Sequence, residues 1–172
     1  METDIASVDC GSELTAGPLP AAMLALNKAH EVELSPLDAP DLRHLVRQSF
    51  ATLRVGAVDA FLIALDQDAD YGSPNYLWFR DRLARFVYVD RVVVSPLARG
   101  RGLARQLYEA LFERAARAGH DRIVCEVNAS PPNPESEAFH LALGFSTVGV
   151  GQLPERGKTV RYLERRLVVP GP

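Results

Sequence analysis

Apolar positions along the chain change their period several times, and each change marks an element. In LPAAMLALNKAH, Pro20 stands where a first helical turn accepts proline, and Met23, Leu24, Leu26 and Val32 continue one apolar face, so a first helix is expected there. Ser35-Pro36-Leu37-Asp38 is turn chemistry, and Asp38 is placed to cap a second helix carrying Leu42, Leu45, Val46 and Phe50. The spacing then becomes that of strands. TLRVGAVDAFLIALD holds two β-rich runs around Gly56 and predicts a hairpin, and RFVYVDRVVVS, ended by Pro96, predicts the strongest strand.

Between them, Gln67 to Arg82 reads as a long connection dense in aromatics, with Tyr71, Tyr76, Trp78 and Phe79. From Leu103 to about Ala118 the pattern is helical: Leu103, Leu107, Leu111 and Ala115 share a face, Arg105, Glu109, Glu113 and Arg117 lie elsewhere, and Gly119 is a stop. DRIVCEVN predicts a strand, SPPNPESEAFHLALGF a turn and a short helix, and FSTVGVG and TVRYLERRLVV two closing strands. Residues 1–17 form either a short edge strand at Ile5 to Val8 or a loose tail, ahead of a single domain over 18–172. The order helix, helix, hairpin, strand, helix, strand, helix, strand, strand predicts an α/β domain whose central strand-helix-strand unit is a right-handed parallel crossover.

Composition narrows the function more than the fold. The 172 residues suit one core, and 47% hydrophobic with 24% charged residues is ordinary for a globular chain. No run approaches the ~18 apolar residues of a membrane span, so no membrane association is expected. METDIASVDC carries acids where an export signal would carry lysines and an apolar stretch, which predicts a cytoplasmic protein. Cys10 and Cys125 have no metal-ligand spacing, so free thiols and no metal are expected. A formal net charge of -3 argues against a nucleic-acid partner, and any positive patch has to be local.

One such patch is the joint between the strong strand and the long helix, Arg99-Gly100-Arg101-Gly102-Leu103-Ala104. The first amides of a helix lack partners within it, and its dipole places about half a positive charge there. Gly100 and Gly102 let the backbone approach an anion and take φ > 0, and Arg99 and Arg101 add charge and donors, so the joint fits a pyrophosphate. A dinucleotide fingerprint would need glycine or alanine where Arg105 stands. A P-loop over Gly157-Lys158-Thr159 would need glycine at Gln152 and a helix after it, where the pattern is strand-like.

The joint matches R-x-x-G-x-A, the pyrophosphate signature of the GCN5-related N-acetyltransferases (GNAT), and the chain resembles that superfamily over about residues 20–167. VDRVVVSP before the joint and LARQLYEALFERA after it resemble the family's fourth strand and third helix. IVCEVN, Asn133 and EAFHLALGF resemble its fifth strand, fourth helix and the Gly-Phe that opens the next strand. The resemblance implies a mixed, mostly antiparallel sheet with splayed fourth and fifth strands flanked by helices. It implies acetyl-CoA as co-substrate, its pyrophosphate on the amides of Arg99 to Ala104 and its pantetheine along the main chain of Val92, Val93 and Val94, a strand-like docking. Asn133 would contact the pantetheine, with Phe139 and His140 near the cofactor. Final strands that pair between subunits in this family leave a homodimer open.

Acetyl transfer to an amine needs a neutral nucleophile, a stabilised oxyanion and a leaving thiolate. Only about one lysine-like amine in a thousand is neutral near pH 7, so a general base is useful. Glu126 matches the fifth-strand glutamate that the ribosomal-protein N-terminal acetyltransferases of this superfamily use, and Asp90 is the second candidate. Alternation also allows Glu126 to be a solvated position or a partner of Arg122 or Arg91. The resemblance implies a backbone N–H near Val93 or Val94 for the oxyanion. His140 stands where most members carry a tyrosine that protonates the thiolate, which makes it a candidate acid or sulfur donor. Asn133 is also a plain helix cap with Pro134 after it. Acceptor contacts are expected from Asn27, His30 and Glu31 and from Tyr71, Tyr76, Trp78 and Phe79, as a cation-binding pocket or simply as a lid. The function implied is transfer to a primary amine of a small molecule or peptide N-terminus, with a non-catalytic acyl-CoA-binding module as the alternative.

Overall fold

The computed structural model describes residues 3–9, 11–15, 17–169 and 171. Cys10 lies outside these residues, and Cys125 is a buried thiol. The elements are β1 (Ile5–Ser7), α1 (Ser12–Thr15), α2 (Leu19–Lys28), α3 (Ala39–Gln48), β2 (Ala51–Val55), β3 (Ala60–Asp66), α4 (Pro74–Arg80), β4 (Val87–Val94), α5 (Leu103–Arg117), β5 (Arg122–Ser130), α6 (Pro134–Ala142), β6 (Ser146–Leu153) and β7 (Lys158–Arg166). The strands form a seven-stranded sheet in the order β1-β2-β3-β4-β5-β7-β6. It is mixed and mostly antiparallel, with a parallel pair at β4 and β5 as the strand-helix-strand order requires. That parallel ladder joins Val87 to Ile123 and Tyr88 to Val124, and each strand continues past it. None of the described helices is long and apolar enough to cross a membrane.

Contacts gather the chain into two compact units, residues 1–65 with 89–111 and residues 66–88 with 112–172. In the first, Asp38 accepts a hydrogen bond from the Asp41 amide at 2.8 Å and starts α3, whose Leu42, Leu45 and Val46 are buried. Phe50 falls beyond the helix end and is half-buried. The first expected helix stops at Lys28, so Val32, placed on its apolar face by periodicity, lies in the following turn and is 85% exposed. Ile5 to Ser7 pair antiparallel with β2 at the edge of the sheet. Every residue from Ala60 to Leu65 of β3 is fully buried, which is why that run reads as continuously apolar rather than alternating.

In the second unit the expected long connection contains a helix. Pro74 takes a first-turn position of α4, where its missing N–H costs nothing, and Asn75, Tyr76 and Phe79 form its buried face. Tyr76 is wholly buried, and its hydroxyl donates to the carbonyls of Asp66 (2.7 Å) and Ala69 (3.2 Å), tying the incoming loop to the helix. β5 and β7 run antiparallel from Arg122↔Arg166 to Ser130↔Thr159, setting Glu126 directly opposite Tyr162.

Candidate functional site

The glycine-arginine joint has the backbone its sequence requires. Gly100 (φ 78°) and Gly102 (φ 70°) are both left-handed, a region that costs other residues about 1–2 kcal/mol. No atom outside the adjoining residues stands within 4 Å of where a Cβ on Gly100 would lie, so open space faces that backbone. The Gly102 carbonyl accepts the Gln106 amide at 3.1 Å, which makes Gly102 the cap of α5 and leaves the next amides without partners in the helix. Arg99 and Arg101 are exposed, and Arg101 pairs with Asp59 at 3.1 Å, both side chains about half in solvent. Leu103 is buried and anchors the helix start, with Ala104 half-buried beside it. These residues fit a pyrophosphate.

Along β4, Val93 is buried, while Val92 and Val94 are half-exposed. The Asp90 side chain is only 5% exposed although the residue as a whole is half-exposed, so main chain supplies most of its accessible surface. Its carboxylate takes the Arg91 Nε at 2.7 Å. Arg91 also donates to Asn27 Oδ1 at 2.8 Å, and Asn27 Nδ2 donates to the Ser35 carbonyl at 3.2 Å. Asp90 and Asn27, expected as base and acceptor contact, are thus members of a buried ion-pair network that ties β4 to the end of α2 and the turn after it. The Asp90 carboxylate is thus engaged by the neighbouring guanidinium. His30 Nδ1 lies 3.0 Å from the Leu26 carbonyl, and Glu31 is exposed.

Glu126 sits in a denser arrangement. Its Oε1 accepts from Asn75 Nδ2 at 3.0 Å and from the Tyr88 hydroxyl at 3.1 Å, and Asn75 Oδ1 in turn accepts the Tyr162 hydroxyl at 3.1 Å. Arg122 is occupied by Asp121 (2.9 Å) and Glu164 (3.3 Å), so it is not the partner that alternation allowed for Glu126. The Tyr162 ring stacks on Trp78 at 4.1 Å and 19°, and the Arg82 guanidinium lies 4.1 Å above the Trp78 ring. Gly149 and Gly151 of β6 make room for this stack: a Cβ on either would overlap Trp78 or Tyr162 respectively. Burial, then the Glu126 charge, push the Tyr162 phenol above its ordinary pKa, so it remains a donor throughout the neutral range. Of the aromatics expected at the acceptor, Trp78 is half-exposed, Tyr71 packs edge-on against Tyr76, and Tyr76 and Phe79 belong to the core.

Asn133 caps α6, its Oδ1 accepting the Ser136 amide at 3.1 Å. His140, one turn on, is 5% exposed, and its Nδ1 lies 2.7 Å from the Ser136 carbonyl. A carbonyl only accepts, so Nδ1 carries the hydrogen and Nε2 the lone pair. Burial lowers the ring's pKa, the Ser136 carbonyl opposing it only in part. Phe139 and Phe145 meet the ring edge-on at 5.2 and 5.3 Å. Neutral, and with its N–H committed, His140 is poorly suited to the acid role its position suggested.

Asn75, Tyr88, Tyr162 and Arg82 escaped the sequence reading. Asn75 lay in a presumed loop, and Tyr88 and Tyr162 looked like ordinary strand aromatics. A helix start at Ser73-Pro74-Asn75 was the available signal for the first.

A family model described as the acetyltransferase (GNAT) family matches residues 60–145. No curated protein matches the chain significantly. Among solved structures, the ribosomal-protein-S18-alanine N-acetyltransferase from Escherichia coli is similar with a TM-score of 0.69 at 16% identity, over 99% of this chain and 97% of that one. yncA from Salmonella typhimurium, solved with its cofactor acetyl-CoA, gives a TM-score of 0.68 at 17% identity over 100% and 98%. Arabidopsis thaliana NAA60 in complex with a bisubstrate analogue gives 0.68 at 11% identity over 98% and 100%. At these identities the likeness is one of fold.

Proposed function

Because the chain belongs to the acetyltransferase (GNAT) family, we propose that it is an N-acetyltransferase moving an acetyl group from acetyl-CoA to a primary amine of a small molecule or a peptide N-terminus. The observation that carries the choice of nucleophile is the Glu126 carboxylate, held in the middle of β5 by Asn75 and Tyr88. An ammonium acceptor has to lose a proton before it can attack, and a fixed carboxylate takes it directly or through one water. Trp78, half-exposed beside this carboxylate's hydrogen-bond partners, is the aromatic best placed to face a cationic acceptor.

Binding of the cofactor falls to the joint. The left-handed backbone at Gly100 and Gly102 and the first amides of α5 would receive the pyrophosphate, with Arg99 and Arg101 adding charge. The β4 main chain from Val92 to Val94 would pair with the pantetheine, and an amide at Val93 or Val94 would meet the oxyanion. When bound, acetyl-CoA supplies an activated acyl group on a thiolate leaving group, the ordinary thiol pKa being about 8.5. Glu126 would accept the ammonium proton, the neutral amine would form the N–C bond as the C–S bond breaks with the bonding pair leaving on sulfur, and the second proton of the nitrogen would pass through solvent to the thiolate. Asn133 caps the helix that carries His140 and is proposed to contact the pantetheine. We read His140 as a packed, neutral residue of α6 rather than the proton donor.

The test is calorimetric titration with acetyl-CoA, followed by thiol release against amines, amino acids, polyamines and N-terminal peptides. Binding with amine-dependent release supports the reaction; binding without release across the panel favours a non-catalytic acyl-CoA-binding module; no binding overturns the reading of the joint.

A further inference from the structure

Three segments far apart in sequence converge on the Glu126 carboxylate. α4 supplies Asn75, 51 residues away, and β4 supplies Tyr88, 38 away, both donating to the same oxygen, Oε1. β7 supplies Tyr162, which stands directly across the ladder from Glu126 but gives its hydroxyl to Asn75 instead, 87 residues away. The chain of donors has one direction: the phenol donates to Asn75 Oδ1, so the amide must present Nδ2 to the carboxylate. Without that phenol, the amide's orientation would be set by Glu126 alone.

The phenol's own place is set by packing. The Tyr162 ring is pressed between Trp78 and the β6 backbone at Gly151, with Phe79 edge-on at 5.3 Å. Asn75 is 5% exposed, Tyr88 1% and Tyr162 2%, so water competes little for these hydrogen bonds.

We propose that Asn75, Tyr88 and Tyr162 are positioning residues that fix the Glu126 carboxylate for proton removal from the acceptor, an inference that rests on Glu126 being the base. Two donors on Oε1 fix the plane of the carboxylate. Asn75 and Tyr88 act directly; Tyr162 acts only through Asn75. Among the described residues, the titratable and charged groups around the carboxylate include Tyr88 from β4, Tyr162 from β7 and, beyond Tyr162, Arg82 after α4.

The test uses the whole protein with [δ-13C]glutamate, the Glu126 resonance assigned by its loss in Glu126→Gln, and follows that resonance against pH without any acceptor. In parallel, kcat and KM are measured with acetyl-CoA and the fastest acceptor of the amine panel. Asn75→Ala and Tyr88→Phe are each expected to change the pH dependence of this resonance relative to the parent, because each removes one hydrogen bond to the carboxylate. They should lower kcat about tenfold and leave KM for acetyl-CoA unchanged. Tyr162→Phe and Gly151→Ala should move both readouts in the same direction by less, and neither should add to Asn75→Ala. The two phenylalanine variants each delete a single oxygen, so the test stands even if Asn75→Ala fails to fold. A resonance that titrates alike in the parent and in Tyr88→Phe and Tyr162→Phe overturns the positioning roles while leaving the base in place. Full turnover in Glu126→Gln overturns the base, and the positioning roles with it.

Discussion

With its N–H given to the Ser136 carbonyl and its pKa lowered by burial, His140 is neutral at physiological pH and presents a lone pair at Nε2. A proton donor to a thiolate would need the opposite. His140→Gln is therefore expected to keep kcat within about threefold of the parent, with an unchanged basic limb between pH 7 and 10. A kcat loss of the 10²-fold order typical of general acid–base catalysis would restore the acid role. Glu126→Gln carries the converse expectation, a kcat lower by 10²–10⁴-fold, since the amide keeps the shape but cannot take a proton. Alternation within CEVN identified the face Glu126 occupies, but not what surrounds it. Cys125 and Val127 are buried as that alternation requires, whereas Asn75, Tyr88 and Tyr162 come from segments whose approach no local pattern encodes.

Among the elements, the joint from Arg99 to Ala104 was legible almost residue by residue, because it depends on backbone conformation and on the polarity of a helix start, both local properties. Gly100→Ala and Gly102→Ala should each cost about 1–2 kcal/mol of stability in urea unfolding through the left-handed backbone alone, and should weaken acetyl-CoA binding in calorimetry. Replacing Arg99 and Arg101 together by alanine should weaken acetyl-CoA and spare dephosphorylated pantetheine analogues; equal losses on both would overturn the pyrophosphate assignment. Sequence did not disclose that Arg101 pairs with Asp59, which lies in the hairpin turn 42 residues earlier. An exposed pair is worth about 0–1 kcal/mol, so Asp59→Asn should tighten acetyl-CoA binding by no more than about fivefold. The α4 helix was missed for a different reason: only seven residues long, its aromatics were taken for a loop although Pro74 marked its first turn.

For the molecule as a whole, two buried histidines couple folding to pH. Burial lowers the pKa of His120, with the Arg85 charge adding to it, and burial does the same for His140. Unfolded, both rings take a proton near pH 6.5, and folded they take it lower. Between those values the unfolded state binds more protons, so stability is complete above about pH 7 and falls as pH drops through 6.5. The slope is at most about 1.4 kcal/mol per pH unit for each ring. Thermal melts from pH 8 to 5 should show this fall, and His140→Gln should flatten it; a melting temperature level across that range would sink the assignment. The order of strands and helices apart from α1 and α4, the parallel unit at β4 and β5, the caps at Asp38 and Asn133 and the left-handed glycines of the joint were determined by sequence alone, because periodicity, capping chemistry and glycine conformation act over a few residues. Which carboxylate is tied into an ion pair with Arg91, which is cradled by an amide and a phenol, and which nitrogen of His140 holds the hydrogen were decided only by tertiary structure. The Glu126 cradle depends on side chains brought together from distant segments, Arg91 reaches Asn27 64 residues away, and all three groups depend on water being excluded around them; burial of that kind has no signature in any short stretch of sequence.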